Sequence, residues 1–155
     1  MKNIVFILII LFGAISTLEA DVKKWKLEQA GFLNIDRNEK DYGGFSGLLI
    51  NNAGTEALVV TDKSFFFVLE LRRDDNDSLN GYSVIKKGRI LSSKGEHLNG
   101  RNTDSESIAM DANDNYFISF ESNHRIMMHT EVEGKGIFVP KHPMFRKLSV
   151  NKGIE

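Results

Sequence analysis

The sequence predicts an all-β protein. After Asp21 the apolar residues come in short runs separated by Gly, Asn, Asp and Ser, the residues that punctuate strands and turns. No long segment places its apolar residues at the period of an α-helix. A third observation, an internal repeat of strand and turn residues, predicts how the strands are grouped.

Eight segments have the composition of strands. They are residues 45–50, 57–61, 65–71, 82–91, 106–110, 116–120, 125–130 and 136–139. In the third segment Phe65, Phe66 and Phe67 run with Leu69 and Leu71 in a pattern that indicates a packing face rather than a ligand platform. The eight predicted strands fall into two sets of four, which the following repeat supports.

The chain repeats itself at a spacing of 59 residues. SGLLINNAGTEALVVTD (residues 46–62) aligns with SESIAMDANDNYFISFE (residues 105–121), so that Ser46 matches Ser105 and Asp62 matches Glu121. Repeats of about 40–60 residues with four strands each are typical of propeller blades, although a sandwich or an open meander has similar strands. We predict a partial β-propeller of about two four-stranded antiparallel blades, preceded by an N-terminal strand.

The ring of such a propeller is incomplete in this chain. Roughly 135 residues follow residue 20, whereas closed propellers have about 4–8 blades. The final NKGIE (residues 151–155) resembles the opening of a third unit, with Glu155 in the place of Glu106. Residues 24–36 could supply the strand that latches a last blade. The expected molecule is the front part of a longer protein, truncated at its C-terminus.

The N-terminus has the layout of a secretory signal peptide. Lys2 precedes an apolar run over residues 4–12, and small or polar residues follow as far as Ala20. An uncleaved membrane anchor is the alternative. It is less favoured, because the run is shorter than the about 20 apolar residues of a spanning helix. We predict cleavage after Ala20, a mature domain over residues 21–155, and an exported protein, periplasmic or secreted, without membrane contact after cleavage.

Composition excludes two classes of protein. The chain has no cysteine, so it is not a disulfide scaffold. Its 20 Lys and Arg residues are interspersed with 21 Asp and Glu residues, so it lacks the basic stripe that a nucleic-acid partner requires.

Acidic residues stand at the outer ends of the second predicted hairpin. Glu106 and Glu121 are equidistant from its turn at 113–114, which places them opposite each other in a regular antiparallel ladder. Like charges in that position are destabilising unless a cation, an arginine or a shared proton intervenes. Solvated strand ends in a different register are the alternative.

In a propeller the first strand of each blade is innermost, so acids at these strand ends converge at the channel mouth. Such a ring suits Ca²⁺, which takes 6–8 oxygen ligands, and equally suits the acid/base pair of a hydrolase. The predicted metal ligands are Asp62, Asp104, Glu106, Glu121 and Glu155.

His124 and Arg125 follow Glu121 closely and could contact a phosphate at the same mouth, although a surface histidine is the simpler interpretation.

Two other motifs are rejected. DANDN (residues 111–115) lacks the Gly and the closing Glu of a calcium-binding EF-hand loop, which favours a hairpin turn. GGFSGL (residues 43–48) lacks the second Gly of a serine-hydrolase nucleophile elbow.

Several motifs in order carry a family resemblance: GGFSGL (43–48), TD (61–62), TDSESIA (103–109), SFESNHRI (119–126) and NKGIE (151–155). From about Gly43 onwards the chain resembles the phytase-like, "esterase-like activity of phytase" family of exported bacterial proteins. The resemblance implies a β-propeller, export, and hydrolysis of phosphomonoesters or phosphodiesters by recurrent Asp and Glu residues. Family members commonly have Gly where this chain has Ser107, and they are about twice as long.

The leading hypothesis is an exported hydrolase of small phosphoester substrates, assisted by Ca²⁺. Its predicted catalytic residues are Glu106, Glu121, His124 and Arg125. The alternatives are a non-catalytic propeller that binds a ligand or a protein at the same mouth, and an inactive fragment of a longer enzyme.

Overall fold

The computed structural model of the chain describes residue 26, residues 31–35 and residues 41–149. The predicted signal peptide with its cleavage site, the final NKGIE with Glu155, and most of the predicted latch strand lie outside the described residues. Residues 31–35, which belong to that latch segment, form no strand.

Two four-stranded antiparallel sheets contain all the strands of the described residues. The first sheet consists of β1 (Phe45–Ile50), β2 (Glu56–Thr61), β3 (Phe65–Arg73) and β4 (Leu79–Arg89). The second consists of β5 (Ser105–Met110), β6 (Tyr116–Phe120), β7 (Arg125–His129) and β8 (Ile137–Phe138). Each sheet runs in chain order, so the predicted all-β fold and its two four-stranded units are confirmed.

Helical structure in the described residues is limited to two short 3₁₀ helices, Gly100–Asn102 and Pro143–Lys147. Neither helix is long enough to cross a bilayer, so the described residues contain no helix that could span a membrane.

Side-chain caps explain why the first two strands of each sheet form hairpins. Asn51 Oδ1 accepts hydrogen bonds from the backbone N–H groups of Thr55 and Glu56, at 2.9 and 3.2 Å. Asp111 Oδ1 does the same for Asn113 and Asn115, both at 2.9 Å. Hydrogen bonds from Asn115 hold the pKa of Asp111 below its ordinary value. The DANDN motif is therefore a hairpin turn, as predicted.

The main hydrophobic core lies between the two sheets. It draws Val60 and Phe66 from the first sheet and Ile118 and Met127 from the second, all almost completely buried. Phe67, the neighbour of Phe66, packs on the opposite face of the first sheet in a second cluster, edge-to-face with Tyr42 at 4.7 Å between ring centroids. The phenylalanine run thus supplies both faces of one strand, as expected of core residues.

Strands β1 and β5 pack closely against each other where the two sheets meet. Gly47 makes this approach possible, because a Cβ atom there would lie 2.7 Å from Val60 Cγ2 and 2.8 Å from Ile108 N. The first strands of both sheets are therefore adjacent, which is the arrangement expected of innermost strands in neighbouring blades.

Three serine hydroxyls bridge the sheets beside this contact. Ser46 donates to the carbonyl of Ser105 at 2.6 Å, Ser105 donates to the carbonyl of Thr61, and Ser64 donates to the carbonyl of Thr103. All three bonds lie at the end of the sheets where β1 and β5 begin. We call this the acidic end, for the residues described below.

On the side of β4 the sheets separate around a groove of about 480 Å³. Leu58, Val68 and Val132 form part of its floor. One ion pair crosses it, between Lys86 Nζ and Glu133 Oε2 at 2.8 Å, and both side chains are about half exposed.

Replacing Gly47 by alanine is expected to lower the free energy of unfolding by about 1–3 kcal/mol, because the added methyl group overpacks the contact between β1 and β5. Urea unfolding measures the effect. Gly31→Ala is the control, since a Cβ there meets its nearest neighbour at an ordinary 3.6 Å. Equal stability of the two variants would show that the strands are not in such close contact.

The buried histidine in β7 gives the fold a dependence on pH. Burial lowers the pKa of His129 below its usual 6.5, although the hydrogen bond to the Gly134 carbonyl opposes the shift. The neutral ring therefore stabilises the fold fully above about pH 6.5, and this stability is lost as the pH falls towards the lower pKa of the folded state. Between pH 7 and about pH 5.5 the thermal stability of wild type should fall more than that of His129→Gln, as measured by thermal unfolding. His97→Gln, an exposed control, should behave as wild type.

Candidate functional site

Three carboxylates meet at the acidic end of the second sheet. Asp104 precedes β5, Glu106 lies within β5, and Glu121 follows β6. One oxygen of each lies within 4.8 Å of the others, and all three residues are half-buried. We call this group the carboxylate triad.

A β-bulge produces the triad. Ser105 pairs with Phe120 and Ser107 pairs with Ser119, so that Glu106 is an extra residue in its strand. The partner of Glu121 is Asp104, whose carbonyl accepts a 2.9 Å hydrogen bond from the Glu121 backbone N–H. The prediction that Glu106 lies directly opposite Glu121 is therefore wrong. The bulge instead brings Glu106 beside the pair that Asp104 and Glu121 form.

The first sheet contains the same bulge without the same acids. Phe45 pairs with Thr61 and Gly47 with Val60, which makes Ser46 the extra residue. Ser46 is thus the counterpart of Glu106, and the predicted match of Ser46 with Ser105 is wrong by one residue. The counterpart of Asp104 is Gly44, because its carbonyl accepts the backbone N–H of Asp62 at 2.8 Å.

Asp62 is the counterpart of Glu121, as predicted, but it does not belong to the triad. Its carboxylate lies against Gly44, where a Cβ atom would come within 2.2 Å of Asp62 Oδ1. That oxygen is buried and has no hydrogen-bond partner among the described residues. With Gly44 and Ser46 in place of two acids, the first sheet has one carboxylate where the second has three.

Ser122 fixes one member of the triad. Its hydroxyl donates to Asp104 Oδ2 at 2.6 Å and its backbone N–H donates to the same oxygen at 3.4 Å. These bonds leave Asp104 Oδ1 available to a ligand. This role could not be predicted from the sequence, since a serine after Glu121 has no feature that separates it from the serines of other turns.

His124 lies in the same turn and is 9% exposed. Its Nε2 is 3.0 Å from the carbonyl oxygen of Ser149, which can only accept, so Nε2 carries the proton. Its Nδ1 is buried and has no partner among residues 41–149. His124 is therefore a buried ring with one unsatisfied nitrogen and not the surface histidine of the simpler interpretation.

Arg125 occupies a different environment from the one predicted for it. It is only 2% exposed, and its guanidinium lies 3.8 Å from the centre of the Phe120 ring. It donates to the carbonyls of Asn102 and Asn123 at 2.6 and 3.1 Å. Burial lowers the pKa of Arg125 to about 10. The side chain holds two loops together, so direct contact with a substrate phosphate does not fit this placement.

The triad fits the requirements of a divalent cation. Oxygens that share a Ca²⁺ ion at about 2.3–2.6 Å lie at most about 5 Å apart, and the triad's oxygens meet that limit. Three carboxylates supply part of the 6–8 oxygen ligands, and backbone carbonyls or water complete such shells. Of the other predicted ligands, Asp62 lies outside the group and Glu155 lies outside the described residues.

Comparison with known proteins agrees with the predicted resemblance. The phytase-like family profile, described as "Esterase-like activity of phytase", matches residues 40–155. No curated protein and no solved structure gives a match. The matched region includes both sheets and the carboxylate triad, and it spans well over half of the chain. The chain therefore belongs to the phytase-like family.

Proposed function

We propose that this chain acts in the metal-assisted hydrolysis of small phosphoesters, with the carboxylate triad holding Ca²⁺. The observation that carries the proposal is the convergence of Asp104, Glu106 and Glu121 within 4.8 Å at a bulge. Membership of a family described by a hydrolytic activity supports it independently.

Charge decides what the triad can bind. Three carboxylates at this spacing repel one another and repel an approaching phosphate. A divalent cation held by the three acids would offset this repulsion and attract the phosphate oxygens. A Ca²⁺ ion held by Asp104, Glu106 and Glu121 would supply Lewis-acid polarisation of the phosphate.

The chain's own residues provide the arrangement. Ser122 orients Asp104 through two hydrogen bonds, and the bulge directs Glu106 towards the pair of Asp104 and Glu121. A carboxylate of this group that is not occupied by the cation can accept the proton of an attacking water. Arg125 acts as a positioning residue, since it joins the loop before β5 to the start of β7.

The test is hydrolysis of p-nitrophenyl phosphate by the purified chain, with calcium and with a chelator. We expect release of nitrophenol that requires Ca²⁺ and saturates with it. p-Nitrophenyl acetate separates a phosphoesterase from a carboxylesterase. Tight Ca²⁺ binding without turnover of either ester would indicate the alternative, a binding module.

The exported location is a separate proposal, which rests on the N-terminal sequence. If residues 1–20 form a signal peptide, the protein recovered from the periplasm or medium begins at Asp21. N-terminal sequencing of the recovered protein measures this. A mature chain that begins at residue 1 would contradict it.

A further inference from the structure

A cavity of about 200 Å³ lies beside the carboxylate triad. One wall is the turn that follows β6, with Ser122, Asn123 and His124. The other wall is the segment after β8, with Lys141, Phe145 and Arg146. No sequence pattern predicts a role for this second segment.

The charged side chains around the cavity are positive. Lys141 and Arg146 are both exposed, and no carboxylate lines the space. Lys141 Nζ is held by Asn123 Oδ1 at 3.1 Å, which keeps the ammonium group at the rim. Arg146 has no hydrogen-bond or ion-pair partner in the described part of the chain. A guanidinium without a partner is suited to bidentate contact with an oxyanion.

His124 adds an independent observation. Its Nε2–H is bound to the Ser149 carbonyl, and its buried Nδ1 has no partner among the described residues. A buried polar atom without a partner is costly, and sites of this kind are often completed by a ligand. A phosphate that carries a proton can donate to Nδ1, and a phosphate dianion can accept from Nδ1 once the ring is protonated.

We propose that this cavity binds a single phosphate group through Arg146, Lys141 and His124. The assignment of that group to the ester substrate rests on the proposed function, whereas phosphate binding itself does not. Arg146 and Lys141 neutralise the charge of the group, and His124 provides the directional contact at the base.

Ser122 connects this cavity with the triad. It lines the cavity, and it also donates to Asp104 Oδ2. The phosphate and the cation are therefore neighbours, and each reduces the repulsion that the other experiences. Ca²⁺ is expected to tighten phosphate binding several-fold, and phosphate to tighten Ca²⁺ binding by the same factor.

The first test is calorimetric titration of the purified chain with inorganic phosphate in the presence of a chelator. Lys141→Gln with Arg146→Gln should weaken binding about tenfold or more, because two charged contacts are lost. The control removes two positive charges elsewhere, with Lys94→Gln and Lys135→Gln, both exposed and outside the cavity, and should remain within about twofold of wild type. Equal loss in both double variants, or no saturable binding to wild type, would overturn the proposal.

A second readout reports on the ring itself. In chain labelled with ¹⁵N-histidine, phosphate should shift the Nδ1 resonance of His124 towards the protonated position and leave that of His97 unchanged. His124→Gln assigns the resonance. Phosphate binding that moves neither histidine would contradict the predicted contact even if both double variants behave as expected.

Phenyl phosphate distinguishes the two sources of such a group. Competition between phenyl phosphate and inorganic phosphate is expected if the cavity takes the ester substrate. The failures are separable, because binding is measured without calcium and without turnover. Intact phosphate binding with no hydrolysis would contradict only the proposed function, and calcium-dependent hydrolysis with no phosphate binding would contradict only the cavity.

Discussion

Glu106→Gln is expected to weaken Ca²⁺ binding about a hundredfold and to lower kcat/KM for p-nitrophenyl phosphate by a similar factor. Glutamine keeps the size of the side chain and removes one of the three charges that converge at the bulge. Calorimetry with Ca²⁺ measures the first effect, and initial rates at the calcium concentration that half-saturates wild type measure the second. Raising the calcium concentration should restore part of the activity if the loss is one of metal affinity.

Two control variants make the result specific. Glu70→Gln removes an exposed carboxylate from the first sheet and should change neither quantity. Asp62→Asn alters the counterpart of Glu121 in the first sheet and should leave Ca²⁺ affinity within about threefold, because Asp62 lies outside the triad. A loss in Asp62→Asn as large as that in Glu106→Gln would contradict the triad and would favour the broader acidic ring.

Phe66→Ala is expected to lower the free energy of unfolding by about 3–5 kcal/mol, which is a large part of the stability of a small domain. Phe66 is 1% exposed and packs in the core that joins the two sheets. Gly88 provides the space for its ring, since a Cβ atom at Gly88 would lie 2.6 Å from Phe66 Cε1. Urea unfolding followed by circular dichroism measures the change.

The matched control is Phe138→Ala in β8, where the ring is 56% exposed. Its expected cost is below about 1 kcal/mol, because little apolar surface returns to water. If the two variants proved equally stable, the core between the sheets would not be the main source of stability.

The sequence was sufficient to predict the strands. Gly, Asn, Asp and Ser mark the turns in this chain, and all eight predicted strands form with ends displaced by only a few residues. The caps at Asn51 and Asp111 use side chains that hydrogen-bond their own turns, so this part of the fold is encoded locally. The packing of β1 against β5 depends on contacts distant in the chain.

The bulge explains why the site was predicted only in part. Counting residues from the turn assumes a regular ladder, and one extra residue in β5 shifts Glu106 out of register with Glu121. A glycine, Gly47, adjoins the bulge at Ser46, whereas no glycine marks the bulge at Glu106. The three acids of the triad were predicted correctly as neighbours, because a shift of one residue still leaves them at the same end of the sheet.

The burial of Arg125 could not be predicted from the sequence, for a different reason. Its position next to His124 gives no information on whether the side chain turns outwards or inwards. The ring of Phe120 and the carbonyl of Asn123 lie in the same hairpin as Arg125, but the carbonyl of Asn102, which accepts its shortest hydrogen bond, is 23 residues away in the chain. Burial of a charged side chain by such partners depends on tertiary structure and is not encoded locally.

The serine bridges have a mechanical consequence. They join the two sheets at the acidic end, whereas in the described part of the chain one solvent-exposed ion pair crosses the groove on the side of β4. The hydrophobic core also joins the sheets, but their polar contacts are concentrated at the acidic end. Loss of that ion pair, for example in Lys86→Gln, is therefore expected to leave the spacing of the carboxylates unchanged.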